Sequence, residues 1–337
     1  MKGLPEGYTA RPMTLEDAEI AAALANEYAC AITGEAVTSA QHFQRFMGFP
    51  GMDLESSSRI VSEPTGEPCA LGLVMDFHEP HVRISGWVPV LERAQGLGIG
   101  SVLHDWAVAQ ARRAIERAPA DALVVFTQNA HDENSTARAF LANRSYQRTR
   151  SFWRMAAALG EELDEPVFPS DITLRHIDLT DDAELRRVVA ALDEAFQDHY
   201  GHVEGDLEER FEAWKYQIAN DPNLTSELSL VAMDGEEIAG CCIASSKFES
   251  DATRGYVNSL GVRRLWRGRG IALALLQHTF QTLRLLGRDG VALHVDSESP
   301  TGATRLYEKA DMHVDQLTHE YHLELRSGID LSTQTGA

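Results

Sequence analysis

Apolar and polar positions along the chain alternate between an extended period of two and a helical period of 3.6 residues. Thr14 with Asp17 three residues on opens an alanine-rich helical stretch to about residue 30, in the manner of a capping box with a shortened carboxylate. A second helix is predicted over 39–46, stopped by Gly48-Phe49-Pro50-Gly51. Strands are predicted over 58–61 and 70–77 around the turn Glu63-Pro64-Thr65-Gly66, and over 81–90. A helix follows with Val102, Trp106 and Ala109 on one face, then strand 122–127, helix 134–141 and strand 146–157. Residues 159–170 are acidic, contain two prolines and lack periodicity, which marks a linker. Beyond it the order returns: helices 183–196 and 206–219, strands 228–233, 238–247 and 256–262, helix 271–286, strand 291–296, helix 301–309 and strand 313–325. With 337 residues, two cores are expected, over 1–160 and 161–327, with 328–337 a polar, frayed tail.

The recurrence extends to residues. Arg93-x-x-Gly96-x-Gly98 and Arg267-x-x-Gly270-x-Ala272 share one pattern, 174 positions apart, and Ala137 to Leu141 aligns with Ala303 to Tyr307 at a distance of 166. Such self-similarity indicates a duplicated domain. Each loop stands between a strand and a helix, as in Tyr256 to Val262 before Ile271 to Leu286. Glycines there let main-chain N–H groups converge, and the helix amino terminus adds unpaired donors and partial positive charge, so the loop suits a pyrophosphate. A nucleotide-hydrolase loop needs G-x-x-x-x-G-K-[ST], which does not occur. Gly96-Leu97-Gly98-Ile99-Gly100-Ser101 lacks the final glycine of a dinucleotide fingerprint and comes late in its domain.

Composition adds constraints. The net charge of −21 argues against nucleic-acid binding and suits a protein that attracts cations such as amines. Hydrophobic content of 44% is ordinary for a globular chain, and no apolar run is long enough for a bilayer. The cysteines Cys30, Cys69, Cys241 and Cys242 form no C-x-x-C motif, and the adjacent pair falls in an apolar run expected to be a buried strand. A reduced, cytoplasmic protein, monomer or homodimer, with no membrane or metal partner is expected.

On these loops, and on Thr301-Gly302-Ala303-Thr304-Arg305-Leu306-Tyr307-Glu308-Lys309, both halves resemble the GCN5-related N-acetyltransferase (GNAT) superfamily, whose signature is Arg/Gln-x-x-Gly-x-Gly/Ala. The duplication is similar to that of mycothiol synthase and related tandem acetyltransferases. The resemblance implies an α/β fold in each half: a mixed sheet flanked by helices and splayed between its fourth and fifth strands, with acetyl-CoA in the opening. It implies that Leu260, Gly261 and Val262 offer main-chain groups to the pantetheine arm and thioester, and that Arg267, Gly268, Arg269, Gly270, Ile271 and Ala272 hold the pyrophosphate. The corresponding positions in the first half are Val88, Val90, Arg93, Gly96, Gly98, Ile99 and Gly100. Tyr307 would protonate the departing thiolate. Leu141, its counterpart, has no proton to give, so the first half is expected to bind acetyl-CoA without turnover or to serve as a scaffold.

The glutamate that mycothiol synthase-like proteins carry on the fourth strand has no counterpart, since Tyr256 to Val262 contains no carboxylate. His294, Asp296 and Glu249 are the candidate bases. The acidic, aromatic segment Asp198, His199, Tyr200 and Glu204 is the expected approach for a cationic small-molecule amine. Two other readings stay open: a catalytically silent CoA sensor, and an acetyltransferase acting on protein amines.

Overall fold

The computed structural model describes residues 1–248, 251–299 and 302–334. The candidate base Glu249 and Thr301 of the second motif lie outside the described residues. The chain forms two compact units, Met1–Arg150 with Thr318–Leu331, and Ser151–Leu317 with the residues from Ser332 onward.

In the first unit, β1 (Thr9–Arg11) leads into a short turn and then α1 (Ala18–Thr33). The capping box at Thr14 and Asp17 is formed, and the Arg11 guanidinium, 2.6 Å away, holds the Asp17 carboxyl down at about 2. Helices α2 (Ala40–Met47) and α3 (Leu54–Ser57) precede β2 (Ser58–Ser62), β3 (Pro68–Met75) and β4 (Arg83–Trp87). Helix α4 (Ile99–Ala111), β5 (Val124–His131) and α5 (Ser135–Ala142) follow. The small side chains of α1 (Ala21, Leu24, Ala25) pack with Phe43 and Met47 of α2 onto Leu71 and Leu73 of β3. In α4 the face turned to the core is Ile99, Leu103, Ala107 and Ala111, rather than Val102, Trp106 and Ala109.

Strands β6 (Gln147–Ala158) and β12 (His313–Arg326) cross between the units. Residues 152–158 of β6 pair with β11 (Gly290–Asp296) of the second unit. In return, Thr318–Arg326 of β12 pair antiparallel with β5 of the first. The first sheet therefore runs β1-β2-β3-β4-β5-β12. The second runs β6-β11-β10-β9-β8-β7, from β7 (Ile172–His176), β8 (Leu224–Asp234), β9 (Glu237–Ser245) and β10 (Arg254–Val262). Its helices are α6 (Asp182–Phe196), α7 (Leu207–Asn220), α8 (Ile271–Leu285) and α9 (Ala303–Lys309). Both sheets are antiparallel except for β4 with β5 and β10 with β11.

The sequence placed the boundary at 160/161. The compact units divide elsewhere because each sheet is completed by a strand from the other half of the sequence. The polar tail also differs from expectation. Leu123 donates to Ile329 O at 2.8 Å, and Gly201 and His202 exchange main-chain hydrogen bonds with Thr333 at 2.9 and 2.7 Å. Its backbone groups find partners, so residues 328–334 are tied down despite their composition.

β12 buries Tyr321, Leu325 and His319 and fixes itself to the first unit through His319–Asp132 at 2.9 Å and Arg83–Glu320 at 2.9 Å. Burying the tyrosine and leucine is worth roughly 1.5–3 kcal/mol each. Without this strand, β5 becomes a bare edge. A fragment ending at residue 160 is therefore expected to lack a cooperative thermal transition by circular dichroism. A sharp transition in that fragment contradicts this role for β12.

Candidate active site

The site of the second unit begins where two parallel strands part. β10 and β11 pair only over Arg254 to Tyr256 against Gly290 to Ala292. A bulge at Asn258, between Val257 and Ser259, bends β10 at that point. Arg263 N–H donates to Ala239 O at 2.9 Å, so in the alternating antiparallel ladder Gly261 also faces β9. The N–H groups of Leu260 and Val262 consequently point into the gap, whereas that of Gly261 does not. Gly261 is needed for another reason: a Cβ there would stand 3.0 Å from Ala195 Cβ, so its absence lets α6 lie against β10.

Past Val262 the chain turns through Arg264–Trp266 into a loop in which Gly268 and Gly270 have φ of 75° and 84°. These values favour glycine, and Gly270 starts α8. Among the described residues no acceptor bonds the amides of Gly268 to Leu273. Their convergence at a helix amino terminus fits a diphosphate. Arg267 holds the loop shut from behind: Nε donates to Val262 O at 3.1 Å, one NH2 group to Ala195 O at 3.0 Å, and the other pairs with Asp198 at 2.6 Å. Arg269 instead faces Asp171 at 2.6 Å, and the Ile271 side chain is core.

The gap opens into a cavity of about 640 Å³ lined by Leu260, Val262, Gly268, Gly270, Ala272, His294 and Tyr307, among others. Tyr307 projects from α9 and is 8% exposed, packed with Val257, Leu293 and Val295. Burial pushes its phenol pKa up, so the group stays protonated through the neutral range. Its hydroxyl has no hydrogen-bond partner among the described residues. A protonated phenol beside unpaired strand amides is an arrangement able to stabilise charge on an acyl oxygen and to deliver a proton to a leaving group.

The first unit repeats this geometry and corrects the register of its motif. Gly96 and Gly98 have φ of 76° and 85°, matching Gly268 and Gly270, and Gly98 starts α4. Gln95, not Arg93, occupies the place of Arg267: its Nε2 donates to Val90 O at 3.0 Å, as Arg267 Nε does to Val262 O. The signature there is Gln95-x-x-Gly98-x-Gly100, 172 positions before its counterpart. Arg93 turns away to Glu27, Glu63 and Glu67 at 2.6, 2.8 and 3.4 Å. The signature accepts arginine or glutamine as the anchor, and in this unit the uncharged glutamine fills it. Val88, Val90, Gly96, Gly98 and Gly100 line a cavity of about 600 Å³, and Ile99 is core. Leu141 matches Tyr307, since Tyr146 N–H bonds Leu141 O as Met312 N–H bonds Tyr307 O. The phenol of Tyr28 lines this cavity, its oxygen accepting from Asn134 at 2.8 Å, whereas Tyr146 is outside the lining, buried against His104 and Gln128, both at 3.1 Å.

The predicted acceptor segment separates. His199 and Tyr200 line the cavity. Burial lowers the His199 pKa, with Arg267 adding to the effect. Asp198 is taken up by Arg267 and Arg264, whose hydrogen bonds hold its carboxyl below the usual range. It thus steadies the loop. Glu204 is exposed and outside the cavity lining. His294 and Asp296, two of the candidate bases, line the cavity together with Leu293 and Val295.

The Acetyltransferase (GNAT) family model matches residues 186–312. A GCN5-related N-acetyltransferase from Sphaerobacter thermophilus is 33% identical, covers 98% of this chain and 100% of its own, and superposes with a TM-score of 0.80. A tandem GNAT protein from the clavulanic acid biosynthesis pathway, 13% identical over 95% of this chain and 99% of its own, has a TM-score of 0.71. A putative acetyltransferase from Pyrococcus horikoshii, also 13% identical, covers 100% of this chain and 97% of its own at 0.58. These last similarities show the fold alone. No curated protein is similar in sequence. No helix among the described residues is long and apolar enough to cross a membrane. The mixed sheets, the two glycine loops and the relative from Sphaerobacter agree: the chain belongs to the GCN5-related N-acetyltransferase family, enzymes that move an acetyl group from acetyl-CoA to an amine.

Proposed function

We propose that the second unit acetylates the primary amine of a small molecule by direct attack, with Tyr307 as the general acid. The observation that carries this reading is the Tyr307 hydroxyl, buried, protonated and unpartnered among the described residues at the floor of the opening. Acetyl-CoA supplies the acyl carbon and a thiol leaving group. The amides of Gly268 to Leu273 hold its diphosphate, and the N–H groups of Leu260 and Val262 orient the pantetheine arm and meet the thioester oxygen. Tyr307 gives its proton to the sulfur. His199 and Tyr200 wall the acceptor's approach, and the chain's net charge of −21 favours a cationic substrate.

The first unit keeps the anion loop and a cavity of similar size but has Leu141 at the acid's position. Its role in this reading is to bind acetyl-CoA without transfer. The cytoplasm is the compartment we propose, as monomer or homodimer.

Incubation with acetyl-CoA and a panel of phenethylamine, spermidine and glucosamine is expected to release free thiol. Tyr307→Phe should lower kcat by about 10²–10⁴-fold with the acetyl-CoA Kd unchanged. An unchanged kcat removes Tyr307 from the chemistry, and donor binding without thiol release under any amine supports the sensor reading instead. Native mass spectrometry is expected to count two donor molecules per chain. Gly98→Asp, which sets a carboxylate in the first unit's loop, should reduce that count to one. A single donor in the unaltered protein makes the first unit a scaffold.

A further inference from the structure

In the first unit β4 and β5 pair as far as Gly86 with Gln128, and Trp87 is the first residue past their parting. Val88 follows and lines the cavity two residues before Val90, as Leu260 does before Val262. The Tyr28 ring of α1 meets Trp87 edge to face, centroids 6.2 Å apart and planes at 79°. Both rings line the cavity with Leu141. Tyr28 therefore stands where the strands part, the end assigned to the thioester in the second unit.

Asn134 settles which way the Tyr28 hydroxyl points. It caps α5, its Oδ1 accepting from Ala137 N–H at 2.9 Å. The other end of that amide is then the NH2 group, whose Nδ2 donates to Tyr28 Oη at 2.8 Å. With its oxygen accepting, the phenol keeps its own proton for a further partner. No acceptor among the described residues takes that proton, and the residue borders the open cavity. Burial raises the Tyr28 pKa, so the proton is retained through the neutral range. A neutral donor, fixed by ring packing and by an amide, thus faces the cavity. It suits a carbonyl oxygen far better than a thiol, whose sulfur is a weak acceptor.

We propose that the Tyr28 hydroxyl donates to the thioester carbonyl of a donor held in the first unit, so that this unit takes acetyl-CoA in preference to free CoA. The assignment rests on the reading above that the first unit binds acetyl-CoA without transfer. Leu141 offers the sulfur no proton, so the contact holds the thioester without discharging it. Free CoA, the product of the second unit, leaves the phenol proton unmet, and a buried donor without a partner is costly. The first unit accordingly reads the ratio of acetyl-CoA to CoA.

The full chain carrying Gly270→Asp, which sets a carboxylate in the second unit's loop, presents the first site alone. Calorimetry is expected to give acetyl-CoA a Kd about tenfold below that of CoA. Adding Tyr28→Phe should bring the acetyl-CoA Kd to within about twofold of the CoA value and leave the CoA Kd unchanged, a split that a merely structural loss would not produce. Amide exchange at Val88 and Gly96 to Gly100 in the unaltered chain reads the same two Kd values if Gly270→Asp does not fold. Equal Kd values for the two ligands, or a preference that survives Tyr28→Phe, overturn the assignment. An equal loss for both ligands overturns it too, since that places the hydroxyl on the pantetheine arm they share. One donor per unaltered chain, still bound in Gly98→Asp, overturns the reading beneath it, and the assignment with it.

Discussion

The structure depends on the early parting of β10 from β11. Two parallel strands that stop pairing leave main-chain donors without partners, and each such group costs about 1–3 kcal/mol if buried and unmet. The unit sustains the gap by fixing its rim. The bulge at Asn258 bends the strand away, α6 lies close against Gly261, and Arg267 ties the following loop to Val262 O, Ala195 O and Asp198. The amides of Leu260, Val262 and Gly268 to Leu273 are thereby held toward one cavity before any ligand arrives, which is the preorganisation that acyl-transfer catalysis requires.

The halves carry different side chains on the same scaffold. Gln95 performs for the first unit the tether that Arg267 performs for the second, without a charge and without an Asp198 equivalent to balance it. Leu141 stands where Tyr307 does, and the adjacent Tyr146 is locked into a buried network with His104 and Gln128. A phenol satisfied by two neighbours is poorly disposed to give up its proton. The difference between the units thus lies in a few side chains at the floor of each opening, on a shared backbone design.

Much of this was legible in the sequence. Periodicity located most helices and strands, since burial of one face is a local signal, and the glycine loops announced themselves through residues required at positive φ. The exchange of β6 and β12 was hidden, because strand partners far apart in sequence leave no trace in either segment's own pattern. The tail misled for a related reason: its polar composition says nothing of the main-chain bonds that Ile329 and Thr333 find. Arg93 drew attention by its charge, while the geometry called for any donor long enough to reach Val90 O, which Gln95 is. Asp198 sits in an acidic, aromatic segment that reads as an approach for a cation, but Arg264 and Arg267 engage its carboxylate. The pairing of Tyr28 with Asn134 arises where α1 meets the start of α5, 106 residues apart in sequence, and no motif encodes it.

The central claim is that the bare amides at the strand parting and the loop hold the acetyl donor. Amide hydrogen exchange resolved by residue, with and without acetyl-CoA, tests it most directly. The account predicts that bound donor slows exchange at Leu260, Val262 and Gly268 to Ala272, with little change at Gly261, whose N–H already serves β9. Unaltered exchange at Leu260, Val262 and the loop under saturating donor would contradict it.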